Sequence, residues 1–507
     1  MKSTRLFLMI LFLNLVFNGF AQSNLPSFIT DSLDNYINRS LKTERLPGLA
    51  IAVVKDGKVV LAKGYGVKEW GKNDPVDENT LFMIGSNTKA FTAISLAMLQ
   101  SEGKLTLNDQ VTKWIPEFKL DNKAAGEQAI IRDIMSHRIG FKTFQGDFTY
   151  WKSDLSREDV IERMGHIKAV YPFRTVYGYC NAAFTVAGQI IPRATGIQWE
   201  DFVKQRIFDP LGMTSTLPLN AQMPSAVNRT VPHDIVKGQV VSVPYCSIDN
   251  MAPAGSISSS VNDMSKWMIM LLNKGSFEGK QIVPEKAIDE AWYPHSIEGT
   301  GGAPFNRSHF ELYGLGFGIR EYEDQIIISH TGGVTGYLSS VTLVPDQKLG
   351  IVILTNSIRN TLFYALAGEV TDAFLGLPYR NYEKFFYDRE RSDMTATAHY
   401  RKQKEDSVSM HLKTALPLEK YTGEYVNDVY GKMTVLLQNN ELHMKFSHHQ
   451  FDVTLGPLGG NRFYAVFSDP EFETAVFPFT VEEGMVKSVT VKVADFIEYT
   501  PYLFTKK

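Results

Sequence analysis

Cysteine is nearly missing from this chain, with two residues, Cys180 and Cys246, among 507. That count excludes a disulfide-built scaffold and a cysteine-built zinc site, and it leaves two small buried thiols as the expectation. No segment concentrates lysine and arginine, and the formal net charge is -3, so the electrostatic footprint of a nucleic-acid binder is absent. Beyond the N-terminus no apolar run is long enough to span a bilayer. What remains is an ordinary globular composition, 44% hydrophobic and 21% charged, in a chain too long for one compact core. A small-molecule or peptide substrate is the expected partner, with no nucleic acid and no stable membrane anchor.

The first residues, MKSTRLFLMILFLNLVFNGFAQS, place Lys2 and Arg5 ahead of an apolar run from Leu6 to Phe17. Gly19 and Ala21 follow at the spacing a signal peptidase reads, which predicts a leader over 1–21, cleaved after Ala21, and an exported, periplasmic or extracellular protein. After it, Ile29, Leu33, Tyr36, Ile37 and Leu41 recur at helical spacing, and GLAIAVVKDGKVVLAKGYG reads as two strands joined at Asp56-Gly57. Helical patterns fill roughly 121–208. YGLGFGIREY and QIIISHTGG read as strands, and YLSSVTLVPDQKLGIVILTN as a hairpin turning at Pro345-Asp346. Strands at both ends of a helical middle predict one antiparallel sheet with helices packed around it and a helical lobe beside it, an α/β (α+β) architecture over 22–378. A pocket between sheet and lobe is the natural site.

From 379 to 416 the chain is dense in mixed charge, which predicts a solvated helix or linker. Short alternating strands such as KMTVLLQ, ELHMKFS and RFYAVFS then predict a separate β barrel or sandwich over 417–507. His443, His448 and His449 lie in this pattern without a cysteine or carboxylate cluster, so they read as surface histidines and not as metal ligands. Neither a metal nor another cofactor is expected.

Three short stretches could carry chemistry. The first is Ser86-x-x-Lys89 at the predicted start of a helix, where positions i and i+3 share a face and a helix N-terminus opposes an ammonium. A lysine made neutral there can take the proton of a serine hydroxyl. A capping serine beside a solvated lysine is the plainer reading of the same four residues. The pattern recurs at Ser101/Lys104, which straddles the helix-ending Gly103 and so lacks a fixed geometry. The second stretch is Tyr179-Cys180-Asn181 ahead of an apolar helix: Tyr179 could relay a proton and Asn181 hold a substrate amide, or the tyrosine could be a buried one bonded to backbone. In the third, His330-Thr331-Gly332-Gly333, the glycines let backbone approach a ligand and His330 could donate or transfer a proton.

The order Ser86-x-x-Lys89, Tyr179-x-Asn181, His330-Thr331-Gly332 resembles the penicillin-recognising serine hydrolases: class C β-lactamases, D-alanyl-D-alanine carboxypeptidases, D-aminopeptidases and related esterases. LPGLAIAVVKDGKVV, IRDIMSHRIGF, IFDPLGMTST and APAGSISSSVNDMSKWM extend the likeness over roughly 28–376. The resemblance implies a nucleophile at Ser86, proton exchange by Lys89 and Tyr179, substrate orientation by Asn181, and an oxyanion hole from the backbone N–H groups of Ser86 and Gly333. It also implies a β-lactamase/transpeptidase-like fold. The third motif departs from the Lys-Thr-Gly of the β-lactamases, because a histidine is largely neutral at pH 7 and does not supply the lysine's permanent charge. Amide or ester cleavage of small or D-amino-acid-containing peptides is therefore the leading expectation, with β-lactam hydrolysis or non-catalytic binding of peptides or cell-wall fragments as alternatives. From LEKYTGEYVNDVYGKMTVLL onward the chain is similar to the lipocalin-like domain appended to some members of this family.

Overall fold

The computed structural model describes residues 25–300, 305 and 308–507. The leader expected over 1–21 lies outside the described residues.

Alternation in the first strand shows how the body is layered. Strand β1 (Gly48–Lys55) is buried on both faces. Its Leu49, Ile51 and Val53 pack with Leu33 and Ile37 of helix α1 (Leu33–Glu44) and with Leu366 and Val370. Ala50, Ala52 and Val54 point the other way, into a core shared with Phe91 and Trp267. One strand thus carries two cores by the two-residue period of its side chains. It turns into β2 (Lys58–Gly66) through Asp56 and Gly57, both at positive φ (51° and 74°), as a tight two-residue hairpin requires.

Six further strands complete the main sheet: β3 (Ser296–Gly299), β4 (Glu311–Tyr313), β5 (Gly318–Tyr322), β6 (Gln325–Val334), β7 (Tyr337–Val344) and β8 (Leu349–Thr355). The order is β2-β1-β8-β7-β6-β5-β4-β3, and the expected meeting of the two ends is the β1/β8 pairing, with Ile51 opposite Ile353. YGLGFGIREY was expected as one strand but is two, β4 and β5, because the chain reverses at Gly314–Gly316, where Gly316 takes φ +74°. The helical middle is likewise more broken than its sequence pattern predicts, with short helices separated by turns at Gly140 and Gly146 (φ +94° and +99°). Its centre is α2 (Thr88–Ser101) packed on α3 (Asn181–Thr195). Residues Thr88 to Leu99 of α2 are all buried, as a helix apolar on every side must be.

Among the described residues no helix is long and apolar enough to cross a membrane. Cys180 and Cys246 are both buried and unbonded. The charged segment forms a 28-residue helix, α4 (Tyr382–Ser409), whose Val408 packs so closely on Gly456 that a Cβ there would lie 2.7 Å from it. Gly456 belongs to a closed barrel of eight strands, β9 (Gly423–Asn427), β10 (Gly431–Gln438), β11 (Glu441–Phe446), β12 (Asp452–Pro457), β13 (Arg462–Phe467), β14 (Thr474–Glu482), β15 (Met485–Val491) and β16 (Tyr502–Lys506). Leu442, Met444 and Phe446 point inward from β11, and closure is made by Tyr425 opposite Lys506.

The barrel docks on the helical lobe through an aromatic contact. Phe148 of the lobe stacks on Tyr430 and on His449, with centroids 5.1 and 5.2 Å away. His449 was expected at the surface, yet it is buried, with Nδ1 against the Tyr430 hydroxyl at 2.6 Å and Nε2 against the Trp151 carbonyl at 2.8 Å. Docking covers it, and burial lowers its pKa to about 4, so it sits there as a neutral ring.

Candidate active site

Ser86 lies in a single 3-10 turn, Gly85–Asn87, directly ahead of α2. Gly85 holds φ +53°, and a Cβ on it would come within 2.8 Å of the Gly333 nitrogen. At Gly332 a Cβ would sit 1.9 Å from the Ile84 carbonyl oxygen. These glycines let the turn and β6 pass in backbone contact. Ser339 on β7 then pins the turn, donating to the Ile84 carbonyl and accepting from Asn87 Nδ2, both at 2.8 Å.

Lys89, in the first turn of α2, is fully buried, and its Nζ has three oxygen partners. Asn181 Oδ1 lies at 2.6 Å, the Ala254 carbonyl at 2.8 Å and Ser86 Oγ at 3.1 Å. The first two can only accept. A neutral amine has two N–H groups and one lone pair, so with both N–H groups given to those oxygens the lone pair faces the serine hydroxyl. Burial lowers the lysine pKa to about 7, while the Asp147 carboxylate opposes the shift. The helix N-terminus was the expected cause; the dominant one is desolvation, because the side chain is sealed between α2 and α3.

Tyr179 ends the loop before α3, its ring 4.4 Å from that of His137 and 4.7 Å from Lys89 Nζ. His137 is held by the Cys180 N–H, which donates to its Nδ1 at 3.0 Å. Burial holds the Tyr179 phenol far above its usual pKa and outweighs nearby Ser86, which pulls it down, so it remains a proton donor. Asn181 opens α3 and bridges two ionisable groups: its Oδ1 takes Lys89, and its Nδ2 donates to Asp147 Oδ2 at 2.6 Å. Asp147 is buried, with its carboxyl raised to about 7 by desolvation.

His330 stands on β6 with both ring nitrogens engaged. The Thr331 carbonyl, at 2.5 Å from Nδ1, can only accept, so Nδ1 carries the proton and Nε2 accepts from the Tyr313 hydroxyl at 3.0 Å. Burial, reinforced by nearby Lys89, lowers its pKa to about 4. The ring is a neutral wall where a lysine would bring charge.

Ser86, Tyr179, Asn181, His330, Thr331, Gly332 and Gly333 all line one cavity of about 640 Å³ between sheet and lobe, with Lys89 just behind them. Sequence reasoning missed several of its other walls. Asp147, Tyr177 and Tyr313 come from the body, while Phe496, Ile497 and Tyr499 come from the barrel. The Phe496 ring reaches Gly333, where a Cβ would meet it at 3.1 Å. Spacing alone gave no signal for these residues, since each is brought in by tertiary contact. Among the described residues no cluster of His, Cys, Asp and Glu could hold a metal.

Comparison with known proteins bears on the same segment. The profile described as Beta-lactamase matches residues 33–369. The chain belongs to the beta-lactamase family. Within this beta-lactamase-family chain, residues 407–506 match a second profile, described as Domain of unknown function (DUF3471). Unguisins hydrolase ungD of Aspergillus violaceofuscus is 26% identical, over 96% of this chain and 91% of its own length. Protein flp of Staphylococcus aureus is 27% identical over 64% of this chain and 62% of its own. Among solved structures, the octameric penicillin-binding protein homologue from Pyrococcus abyssi aligns with a TM-score of 0.62 at 22% identity, covering 93% of this chain and 99% of that one. A D-stereospecific amidohydrolase from Streptomyces sp. aligns at 0.52 and 20% identity, over 66% of this chain and 96% of its own. These two structural likenesses speak for the fold.

Proposed function

We propose that this protein is an exported serine hydrolase that forms an acyl-enzyme on Ser86 and cleaves amide or ester bonds of small peptides, D-amino-acid-containing peptides or esters. The observation that carries this reading is the buried Lys89, its two N–H groups directed at oxygen acceptors and its lone pair facing Ser86 Oγ at 3.1 Å. Lys89 takes the hydroxyl proton as Ser86 attacks the acyl carbon. Tyr179, which stays protonated, passes its proton to the leaving group and takes back from Lys89 the proton that Lys89 removed from Ser86. The N–H groups of Ser86 and Gly333 stabilise the developing oxyanion, a contribution of about 3–4 kcal/mol per donor in comparable sites. Water completes the cycle by attacking the ester.

The neutral His330 favours substrates without an essential carboxylate anchor, and so ranks peptide or ester cleavage above β-lactam hydrolysis. The name of the fungal relative, a hydrolase, and that of the D-stereospecific amidohydrolase point the same way. Phe496, Ile497 and Tyr499 line the cavity from the barrel, which supports a role for that domain in limiting substrate size. The test is intact mass after exposure to a fluorophosphonate, a penicillin and an activated ester, for the wild type and Ser86→Ala. An adduct that requires Ser86 is expected; folded wild-type protein unmodified by all three reagents would overturn the reading in favour of a binding protein.

A further inference from the structure

Asn181 is an amide with a donor end and an acceptor end, and its orientation decides what Lys89 can do. With Oδ1 toward Lys89, as found, the amine gives Asn181 an N–H and keeps its lone pair for Ser86. Turned over, Nδ2 would donate to that lone pair, and Ser86 would lose its base. The other end of the amide therefore matters. It donates at 2.6 Å to Oδ2 of Asp147, an acceptor buried at 2% exposure that lines the same cavity.

Asp147 is in turn fixed from the far end of the chain. Glu498, buried at 1% exposure, accepts from the Gly146 N–H with Oε1 and from the Phe148 N–H with Oε2, both at 2.9 Å. Those two peptides flank Asp147. Tyr502, the first residue of β16, donates to Oε2 at 2.8 Å and lies 3.2 Å from Thr149 Oγ1. A carboxyl group sunk in this position, with every contact spent on the Asp147 turn and its own barrel, is expensive to bury for packing alone.

We propose that Asp147 is a positioning residue that acts on Lys89 through Asn181, and that the barrel completes the site by holding the Asp147 turn with Glu498. This rests on the serine-hydrolase reading above. The titratable groups around Asp147 are Lys89 on α2, Tyr179 and Cys180 ahead of α3, Tyr150 on its own turn and Glu498 from the barrel; His137 and His330 face Lys89. Of these, Asp147 is the carboxylate that raises the Lys89 pKa against desolvation. Removing its charge should make Lys89 a weaker base that is free at lower pH.

The experiment is the rate of fluorophosphonate acylation of the full chain from pH 5 to 9, for the wild type, Asp147→Asn, Asp147→Ala, Asn181→Ala and Glu498→Gln, each checked for folding by circular dichroism. Asp147→Asn keeps the volume and should move the acid limb of the profile to lower pH. Asp147→Ala should acylate at least tenfold more slowly, Asn181→Ala about equally so, and a further variant combining Asp147→Ala with Asn181→Ala no more slowly than either, because both remove one constraint. Glu498→Gln should slow acylation at least threefold. Rates within twofold of wild type, with an unmoved limb, in folded Asp147→Asn and Asp147→Ala would overturn the role of Asp147. Wild-type rates in Glu498→Gln would overturn that of the barrel. An unlabelled wild type would instead sink the serine-hydrolase reading, and this inference with it.

Discussion

On the proposed mechanism, a single proton on Lys89 separates a resting site from a working one. With a pKa of about 7, Lys89 is an ammonium below that pH and its lone pair is lost, so acylation should rise with pH through about 7 and level off above it. A rate already flat from pH 5 would assign the base elsewhere. Lys89→Met, which fills similar space without a base, should lower the acylation rate by about 10²–10⁴-fold, read by the same label. Gly332→Ala is expected to fail for a different reason. Its Cβ would press on the Ile84 carbonyl at 1.9 Å, and a backbone atom in a turn pinned by Ser339 has nowhere to go. Overpacking of this kind costs about 1–3 kcal/mol, so thermal melting should drop by several degrees and labelling of Ser86 with it. The sequence made Ser86, Lys89 and these glycines legible because they lie close together in the chain or at a strand end. Ser101 and Lys104 show the same spacing without the consequence: Ser101 Oγ is spent on the Ala97 carbonyl, and Lys104 pairs with Glu102 at the surface. Asp147 left no trace in the sequence, because its partners, Asn181 and Lys89, are brought to it only by folding.

Elements were legible where hydrophobic period and turn chemistry agreed. The β1–β2 hairpin, α2 ending near Gly103 and the barrel strands follow from alternation and from glycine, while the division of β4 from β5 depended on a reversal at Gly316 inside an apolar stretch. His449 misled because it lies in the loop after β11, where a histidine is usually solvated, and contacts from Phe148 and Trp151 of the lobe bury it. The segment between β15 and β16 is the part of the barrel that reaches the cavity. It carries Phe496, Ile497 and Tyr499 to the cavity, with Phe496 packed edge-on against Trp151 at 5.9 Å. Phe496→Ala should widen the cavity and raise kcat/KM for bulky acyl substrates relative to small ones. An unchanged ratio across a graded ester series would show that this wall does not select.

For the whole molecule, barrel and body are coupled through ionisable groups as well as through aromatic rings. Glu498 has its pKa raised to about 8 by burial, above the ordinary carboxylate value near 4.3. A carboxyl raised on folding contributes stability that is complete below its unfolded pKa and is lost as pH rises through about 8. Melting temperatures of the wild type should therefore fall more between pH 5 and 8 than those of Glu498→Gln, in which this group cannot ionise. Parallel curves would mean that Glu498 does not titrate in that window. The barrel itself was legible as a closed or sandwiched β unit, whereas its docking was not, since no local pattern announces which exposed edge meets which lobe.

The contact between Gly146 and Glu498 joins residues 352 positions apart. Seen in time rather than in space, the turn that carries Ser86 leaves the ribosome well before Glu498 and the strands around it. On the proposed mechanism, a chain made only as far as the helical lobe holds Ser86 and Lys89 without the clamp on Asp147, and full reactivity waits for the barrel to close.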